Sequence, residues 1–311
     1  MNTLLKKSVN FNIESNFRGI FLENESLKDK TTFKIGGNAT FFAQPKDEKS
    51  LLYLLKVAKE NSVPVFILGG GSNLVISDDG IDALVISTLD LNFCKLKSDT
   101  LSCGAGCTIK SITEFCINNS ISGLENFAGL PGSCGGAVFM NARCYDISVS
   151  DVLKSVRYID FSDLTLKEYI FDSKDWDYKK SPFQSGDKFI VEVNFKVSKG
   201  RKNDIFDKSE SYITDRELKG HFKYPSAGSV FKNNRSFGKP SGKIIDEVGL
   251  RGFSVGDAQV APWHGNFIIN TGSATAMDVK KLVEHIQKNV QEKTGFLLEC
   301  EIIFTDSLSE K

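Results

Sequence analysis

The stretch Leu68-Gly69-Gly70-Gly71-Ser72-Asn73-Leu74 sets three consecutive glycines between two apolar segments, residues 63–68 and 74–76, that we predict to be β-strands. A P-loop would need a Lys-Ser/Thr pair opening a helix, and a Rossmann site would need Gly-x-Gly-x-x-Gly before a helix. The stretch has neither pattern. Its unhindered backbone N–H groups, with the short side chains of Ser72 and Asn73, can form a nest for a phosphate. A plain tight turn needs fewer glycines, so we interpret the stretch as a ligand-binding loop.

A second glycine-rich loop is Ala128-Gly129-Leu130-Pro131-Gly132-Ser133-Cys134-Gly135-Gly136-Ala137. Pro131 fixes its own φ, and Gly132 can adopt a positive φ, as in a type II turn. Gly135 and Gly136 would let a second ligand segment lie against the backbone. Two such loops in one domain indicate an extended dinucleotide, with one loop for each portion. The candidate contacts in this loop are Gly132, Ser133, Gly135 and Gly136.

A third stretch, Tyr224-Pro225-Ser226-Ala227-Gly228-Ser229-Val230-Phe231-Lys232-Asn233, places a hydroxyl between small residues and a Lys-Asn pair. Ala227 and Gly228 leave room beside the backbone. Lys232 offers a positive charge and Asn233 offers amide hydrogen bonds. The combination is typical of a site for a polar anionic ligand with a proton donor beside it.

Composition and charge narrow the class of protein. The chain has 311 residues, enough for two or three domains, and its apolar (41%) and charged (25%) fractions are those of an ordinary globular protein. Lys+Arg and Asp+Glu both number 39, so the net charge is zero. No long-range field favours nucleic acid or an anionic membrane. A bound anion must therefore be held by a local site, and we expect neither nucleic acid nor membrane as a partner.

The N-terminus has no apolar run typical of a signal peptide, and no segment approaches the ~20 apolar residues of a membrane span. The seven cysteines are an odd number and, without a secretion signal, indicate reduced thiols in the cytoplasm. Cys103 and Cys107 could suggest a metal pair, but no histidine or second cysteine pair has matching spacing. We expect buried thiols and no metal site.

Hydrophobic periodicity predicts a chain of mixed α/β and α+β class. Strands are predicted at residues 40–43, 63–68, 74–76, 83–86, 189–197 and 297–304. Helices are predicted near residues 4–11, after the N-caps Asp47 and Thr108, over 204–218, and from Thr275 to Gly295. The polar, basic segment 198–204 is the best candidate for a linker, with a domain boundary near residue 200.

The three stretches resemble motifs of the UDP-N-acetylenolpyruvoylglucosamine reductase family. Further matches follow the family order over residues 30–304: Thr32-Phe33-Lys34-Ile35-Gly36-Gly37, His264-Gly265-Asn266-Phe267-Ile268-Ile269-Asn270 and Leu298-Glu299-Cys300-Glu301. The resemblance implies a PCMH-type (vanillyl-alcohol-oxidase-like) FAD-binding domain followed by an α/β substrate-binding domain. The implied division is an N-terminal extension (1–27), the FAD domain (28–198), the substrate domain (199–306) and a tail (307–311). The short span between Gly136 and Tyr178 resembles the shorter type of the family.

The resemblance also implies the reaction. NADPH would reduce a bound FAD, and the hydride would then pass to the enolpyruvyl group of a UDP-sugar, giving UDP-N-acetylmuramate for peptidoglycan. An enolate formed on the way must be stabilised and then protonated. By resemblance Ser229 is the proton donor, and Glu301 helps to polarise the substrate carboxylate or supplies a proton. Glu299 stays open as its neighbour, since residues two apart on a strand share a face.

The main departure from the family pattern concerns the substrate carboxylate; two smaller ones are Asn234, where a proline is usual, and Arg143-Cys144, where small residues are typical. Tyr178-Lys179-Lys180-Ser181 stands where the family usually has Tyr-Arg-x-Ser. Lys179 would therefore hold the substrate carboxylate with a point charge instead of a bidentate fork, and Lys180 is its rival if the register differs by one. Tyr178, Lys232 and Asn233 are the implied substrate contacts.

Two other classes stay open: a different PCMH-fold flavin oxidoreductase, and a flavin- or UDP-sugar-binding protein without turnover. We expect a cytoplasmic monomer.

Overall fold

A computed structural model describes residues 17–306. Helices and strands alternate along much of the chain. The strands are β1 (Gly19–Ser26), β2 (Asn38–Pro45), β3 (Val65–Leu68), β4 (Leu74–Val75), β5 (Ile81–Ser87), β6 (Cys94–Lys97), β7 (Thr100–Gly104), β8 (Ile121–Ser122), β9 (Arg143–Cys144), β10 (Ile147–Ser148), β11 (Leu153–Asp160), β12 (Leu166–Ile170), β13 (Lys188–Lys196), β14 (Ser198–Lys199), β15 (Ser226–Ser229), β16 (Ser254–Val255), β17 (Ala258–Val260), β18 (Phe267–Asn270) and β19 (Ile303–Phe304).

The helices are α1 (Glu48–Glu60), α2 (Ile109–Asn118), α3 (Cys134–Phe139), α4 (Val149–Val152), α5 (Lys202–Leu218), α6 (Ser241–Val248) and α7 (Ala276–Thr294). The predicted caps are confirmed: Asp47, Thr108 and Thr275 accept hydrogen bonds from the backbone N–H groups of the first turns of α1, α2 and α7. Helix α7 ends at Gly295, whose φ of 76° a glycine adopts without strain. Each cap satisfies N–H groups that have no partner inside the helix.

Residue contacts divide the chain into two compact units. The first contains the described residues up to Asn24, then Thr40–Gly70 and Asp82–Ile213. The second contains Glu25–Ala39, Gly71–Ile81 and the described residues from Thr214 onward. The units are therefore interleaved in sequence.

The first unit contains two main sheets. One has the strand order β1-β2-β5-β3 and the other has the order β12-β11-β13-β7-β6. Apolar residues of α1, including Leu51, Leu54 and Leu55, are buried with residues of β2 and β5. A second core gathers α2, α3 and the inner faces of β7, β11 and β13. Strands β3 and β5 pair in parallel, so their carboxyl ends meet at one edge, where the first glycine loop begins.

The second unit is built on the antiparallel sheet β15-β18-β17-β16. Helix α7 contributes Val279, Leu282, Ile286 and Val290 to the core of this unit, at the spacing of one helix face. Strands β4 and β19 form a separate parallel pair. Strand β18 pairs with both ends of β15, the strand that ends at Ser229.

The structure differs from the sequence-based expectation in three places. The predicted linker 198–204 contains β14 and the start of α5, and the division between the units falls later, after Ile213. The predicted division into contiguous domains also differs, because residues 25–39 and 71–81 pack with the second unit. The predicted strand 297–304 is regular only at β19. The helix predicted near residues 4–11 lies outside the described residues.

Candidate active site

The two glycine loops meet within the first unit. The Ser133 hydroxyl accepts hydrogen bonds from the N–H groups of Gly70, at 3.2 Å, and Gly136, at 3.3 Å. A Cβ at Gly70 would lie 2.6 Å from the Cα of Gly132, so a side chain there would collide with the second loop. The close approach of two backbones thus explains Gly70 without reference to a ligand.

Other glycines in the predicted loops also have packing roles. Gly132 has a φ of 115°, which confirms its predicted positive φ. Gly135 donates its N–H to the Ala105 carbonyl at 2.8 Å, and its Cα packs against that residue. Gly71 has a φ of 61°, and a Cβ there would lie 2.4 Å from the Lys30 carbonyl in the second unit. The Gly135 N–H therefore serves the fold, and any ligand of this loop must use other groups.

A nearby buried hydroxyl fits a polar ligand. Thr88 donates its backbone N–H to the carbonyl of Leu68, immediately before Gly69. Its side chain is only 3% exposed, yet its hydroxyl has no hydrogen-bond partner among the described residues. Buried polar atoms are rarely left unsatisfied. The Thr88 hydroxyl, on a residue bonded to the strand end before Gly69, would therefore be satisfied by a polar ligand such as a dinucleotide. Among residues 17–306, no group of three or more His, Cys, Asp or Glu side chains could hold a metal ion.

In the second unit, a β-bulge sets the position of Ser229. Ser226 pairs with Ile269 and Ser229 pairs with Phe267, with a register shift between them. Gly228 lies inside the bulge with a φ of 76°, and a Cβ there would meet nothing within 4 Å. Because bulges redirect the side chains that follow them, Gly228 is required for its backbone conformation. The half-buried Ser229 stands at the end of β15, one residue after the open space at Gly228.

The acidic motif lies alongside this strand. Glu301 donates its N–H to the carbonyl of Val230, the neighbour of Ser229, at 2.7 Å. The carbonyl of Glu301 accepts a hydrogen bond from the Asn73 side chain at 3.0 Å. Glu299 forms an ion pair with Lys232, and its side chain is 72% exposed. The structure therefore brings the Glu301 backbone next to the Ser229 segment and gives Glu299 a different partner.

Two predicted substrate contacts have structural bonds of their own. Lys232 makes the ion pair with Glu299, so a substrate anion would compete with that carboxylate. Asn233 accepts a hydrogen bond from the N–H of Ser241, at the first turn of α6, at 2.9 Å. Its side-chain oxygen is thus used as a helix cap.

The sequence did not indicate a role for Asn266, although this residue lies in the motif His264–Asn270. Its side-chain oxygen accepts the Phe231 N–H and its amide nitrogen donates to the Phe231 carbonyl, both at 2.8 Å. The side chain is 3% exposed and behaves as a substitute strand partner for the Ser229 segment. Thr32 supports the other end of the segment, where its hydroxyl donates to the Ser226 carbonyl at 2.7 Å. Only the resemblance could have indicated these bonds, because their partners are far apart in sequence.

Lys179 lies on a tight turn of the first unit. Asp177 and Lys180 exchange two backbone hydrogen bonds, at 3.4 and 3.0 Å, across this turn. Lys179 has a φ of 59°, a conformation in which a non-glycine residue is strained. Lys179 is half-buried, whereas Lys180 and Tyr178 are exposed. The ammonium of Lys179 lies 6.0 Å from the centre of the Tyr178 ring.

Two histidines of the second unit, His221 and His264, have ring centres 6.0 Å apart, and burial lowers the pKa of both. Burial is the main cause that lowers the pKa of His264, and it lowers the pKa of His221 to about 4. His264 Nδ1 accepts the N–H of Asn266 at 3.1 Å. A neutral His264 therefore helps to orient the loop that carries Asn266.

Known proteins place this chain in a class and then in a family. A model of an FAD binding domain matches residues 39–167, which include Gly69, Gly70 and the second glycine loop. This match, with the geometry of the loops, defines an FAD-binding oxidoreductase. A model of the UDP-N-acetylenolpyruvoylglucosamine reductase C-terminal domain matches residues 220–305.

Individual relatives agree over nearly the whole chain. The UDP-N-acetylenolpyruvoylglucosamine reductase of Treponema denticola is 48% identical, over 89% of this chain and 91% of the relative. That of Borreliella burgdorferi is 41% identical, over 91% and 93%. The crystal structure of the Thermus caldophilus enzyme superposes with a TM-score of 0.77 at 32% identity, covering 93% of this chain and 99% of that one. The chain belongs to the UDP-N-acetylenolpyruvoylglucosamine reductase family.

Membership confirms the predicted fold class, the FAD cofactor and the reductase activity in peptidoglycan precursor synthesis. None of the helices formed by residues 17–306 is both long and apolar enough to cross a membrane.

Proposed function

We propose that this chain uses NADPH to reduce its FAD and then reduces UDP-N-acetylglucosamine enolpyruvate to UDP-N-acetylmuramate. The observation that carries the proposal is the Ser229 segment, where a glycine bulge ends β15 at Ser229 and the Glu301 backbone bonds to the next residue. The segment brings a hydroxyl and an acidic motif together at one edge of the sheet. We also propose that the protein is a cytoplasmic monomer.

FAD, when bound, supplies the hydride, and the glycine loops are proposed to hold it through Gly69, Gly70, Gly71, Ser72, Asn73, Gly132, Ser133, Gly135 and Gly136. The N–H of Gly135 is not available for this contact, since it bonds to the Ala105 carbonyl.

The remaining chemistry belongs to side chains of the protein. Hydride addition to the terminal enolpyruvyl carbon leaves negative charge on the carbon beside the carboxylate. Ser229 would donate a proton to that carbon. The Lys179 ammonium, and Glu301 acting as a carboxylic acid that donates a hydrogen bond, would stabilise the negative charge that develops before protonation. A serine is a weak acid in water, so its surroundings must assist the transfer. Tyr178, Lys232 and Asn233 would contact the UDP-sugar, where a positive charge suits a diphosphate.

The test separates the two half-reactions in anaerobic stopped flow. NADPH first bleaches the flavin, and the enolpyruvyl UDP-sugar then restores its oxidised absorbance. Ser229→Ala is expected to leave bleaching unchanged and to slow reoxidation by about 10²–10⁴-fold, the usual contribution of general acid catalysis.

The matched control is Ser236→Ala, which removes an exposed serine hydroxyl that donates to the Asn234 side chain. It should leave both rates unchanged. Reoxidation of Ser229→Ala at the original rate would remove Ser229 from the mechanism.

A further inference from the structure

Helix α3 begins in the second glycine loop, and its C-terminal end is hydrogen-bonded to the segment that follows the Lys179 turn. Ser133 caps its N-terminus, next to Gly70 and Gly136. At its other end, the Phe139 carbonyl accepts the Ser181 hydroxyl at 2.7 Å and the Gln184 side-chain amide at 2.9 Å. Carbonyls in the last turn of a helix have no partner within it, so side chains from elsewhere commonly satisfy them.

Gln184 has a second bond that involves the turn itself. The same amide nitrogen donates to the carbonyl of Lys179 at 3.0 Å. One NH₂ group carries two donors, so one side chain joins the Lys179 carbonyl to the Phe139 carbonyl. Because Lys179 has a φ of 59°, surrounding contacts must hold it in that conformation.

We propose that Gln184 is a positioning residue for Lys179. Its amide links the Lys179 carbonyl to the C-terminal end of α3 through two hydrogen bonds. Six helical residues span about 9 Å, so this connection fixes how far the lysine stands from the glycine loops at the other end. The inference rests on the proposed function, in which the Lys179 ammonium meets the substrate carboxylate.

A neighbouring amide fixes the start of the turn but has other duties. Asn141 donates its side-chain amide to the Asp177 carbonyl at 2.9 Å, and its oxygen accepts the N–H of Ser150 at 3.1 Å. Asn141 is 3% exposed, so replacing it would disturb the core. Gln184 is exposed, and its replacement tests the position of the turn with little effect on folding.

The experiment is a double-mutant cycle on the reoxidation of reduced flavin by the enolpyruvyl UDP-sugar. Gln184→Met keeps the side-chain length and removes both donors, and Lys179→Met removes the charge. Gln184→Met is expected to slow reoxidation by about tenfold, because a small misplacement of a reacting or binding group lowers the reaction rate by up to about a hundredfold. The double variant should be no slower than Lys179→Met, because residues that act as one unit are not additive.

Bound FAD, thermal unfolding and the rate of flavin reduction by NADPH are measured alongside and should not change in Gln184→Met. The matched control is Asn61→Ala, which removes another exposed amide that donates to a carbonyl in the last turn of a helix, that of Val57 at 2.8 Å. It should leave reoxidation unchanged.

The results distinguish a failure of the positioning role of Gln184 from a failure of the proposed function. Reoxidation at the wild-type rate in Gln184→Met overturns the positioning role of Gln184. So does an equal slowing by Gln184→Met in the wild-type protein and in Lys179→Met. Wild-type reoxidation in Lys179→Met overturns the proposed role of Lys179 itself, whatever Gln184 does. Fast reoxidation in Ser229→Ala is the separate result that would challenge the proton donor.

Discussion

The Ser229 segment (residues 226–233) and the Lys179 turn (177–180) are each held by a side-chain amide, but the two amides differ in burial. Asn266, which holds the first, is 3% exposed, whereas Gln184, which holds the second, is exposed. Water can replace a lost hydrogen bond at the surface but cannot do so in the core. Loss of the Asn266 amide should therefore lower mainly the stability of the protein, and loss of the Gln184 amide should lower mainly its activity.

The largest expected effect tests whether the proton-transfer chemistry belongs to the Ser229 segment. Glu301→Gln should slow reoxidation by about a hundredfold or more, because an amide cannot act as a carboxylic acid toward the negative charge that develops in the transition state. Glu299→Gln breaks an exposed ion pair with Lys232, and such pairs contribute only about 0–1 kcal/mol. We expect less than about a twofold change, measured by the same stopped-flow assay. Slower reoxidation in Glu299→Gln than in Glu301→Gln would exchange the two assignments.

The next prediction concerns the buried amide. Asn266→Ala leaves the N–H and carbonyl of Phe231 without their partner, and each buried unsatisfied group costs about 1–3 kcal/mol. We expect the free energy of unfolding in urea to fall by about 2–4 kcal/mol.

Asn234→Ala is its surface control, because Asn234 is an exposed amide that caps a short turn at Ser236. Its effect should stay within about 1 kcal/mol. Equal losses in the two variants would contradict the contrast between a buried and an exposed amide.

The smallest expected effect concerns the Lys179 turn. Lys179→Arg restores the residue usual in the family, whose planar fork binds a carboxylate through two parallel hydrogen bonds. We expect the KM for the enolpyruvyl UDP-sugar to fall by about threefold to tenfold, with little change in thermal unfolding. Lys180→Arg is the control and should change nothing. A lower KM in Lys180→Arg alone would move the carboxylate contact to Lys180.

Local features were predictable from the sequence. The N-caps at Asp47, Thr108 and Thr275 lie within three residues of the groups they satisfy, so the local pattern contains both partners. The loop nature of residues 69–73 was also predictable, since apolar strands flank it.

Features that depend on distant partners were not predictable. The bulge at Gly228 requires the pairing of β15 with β18, and the Asn266–Phe231 bonds join residues 35 positions apart. The strand predicted over 297–304 is irregular because the N–H groups of Glu301 and Ile302 both bond to the Val230 carbonyl. The family resemblance identified the motifs, but only the fold explains which backbone each one supports.

The interleaving of the two units has a consequence for how the chain folds during synthesis. Phe33, Ile35 and Val75 are made early, yet they are buried in one core with Val279 and Leu282. These contacts have a large sequence separation, which slows folding because distant segments must meet first. Until α7 leaves the ribosome, the early segments lack their core partners and expose apolar surface that invites aggregation. A chain cut after Ile213 would stay in that state permanently, so the first unit should not be separable by simple truncation.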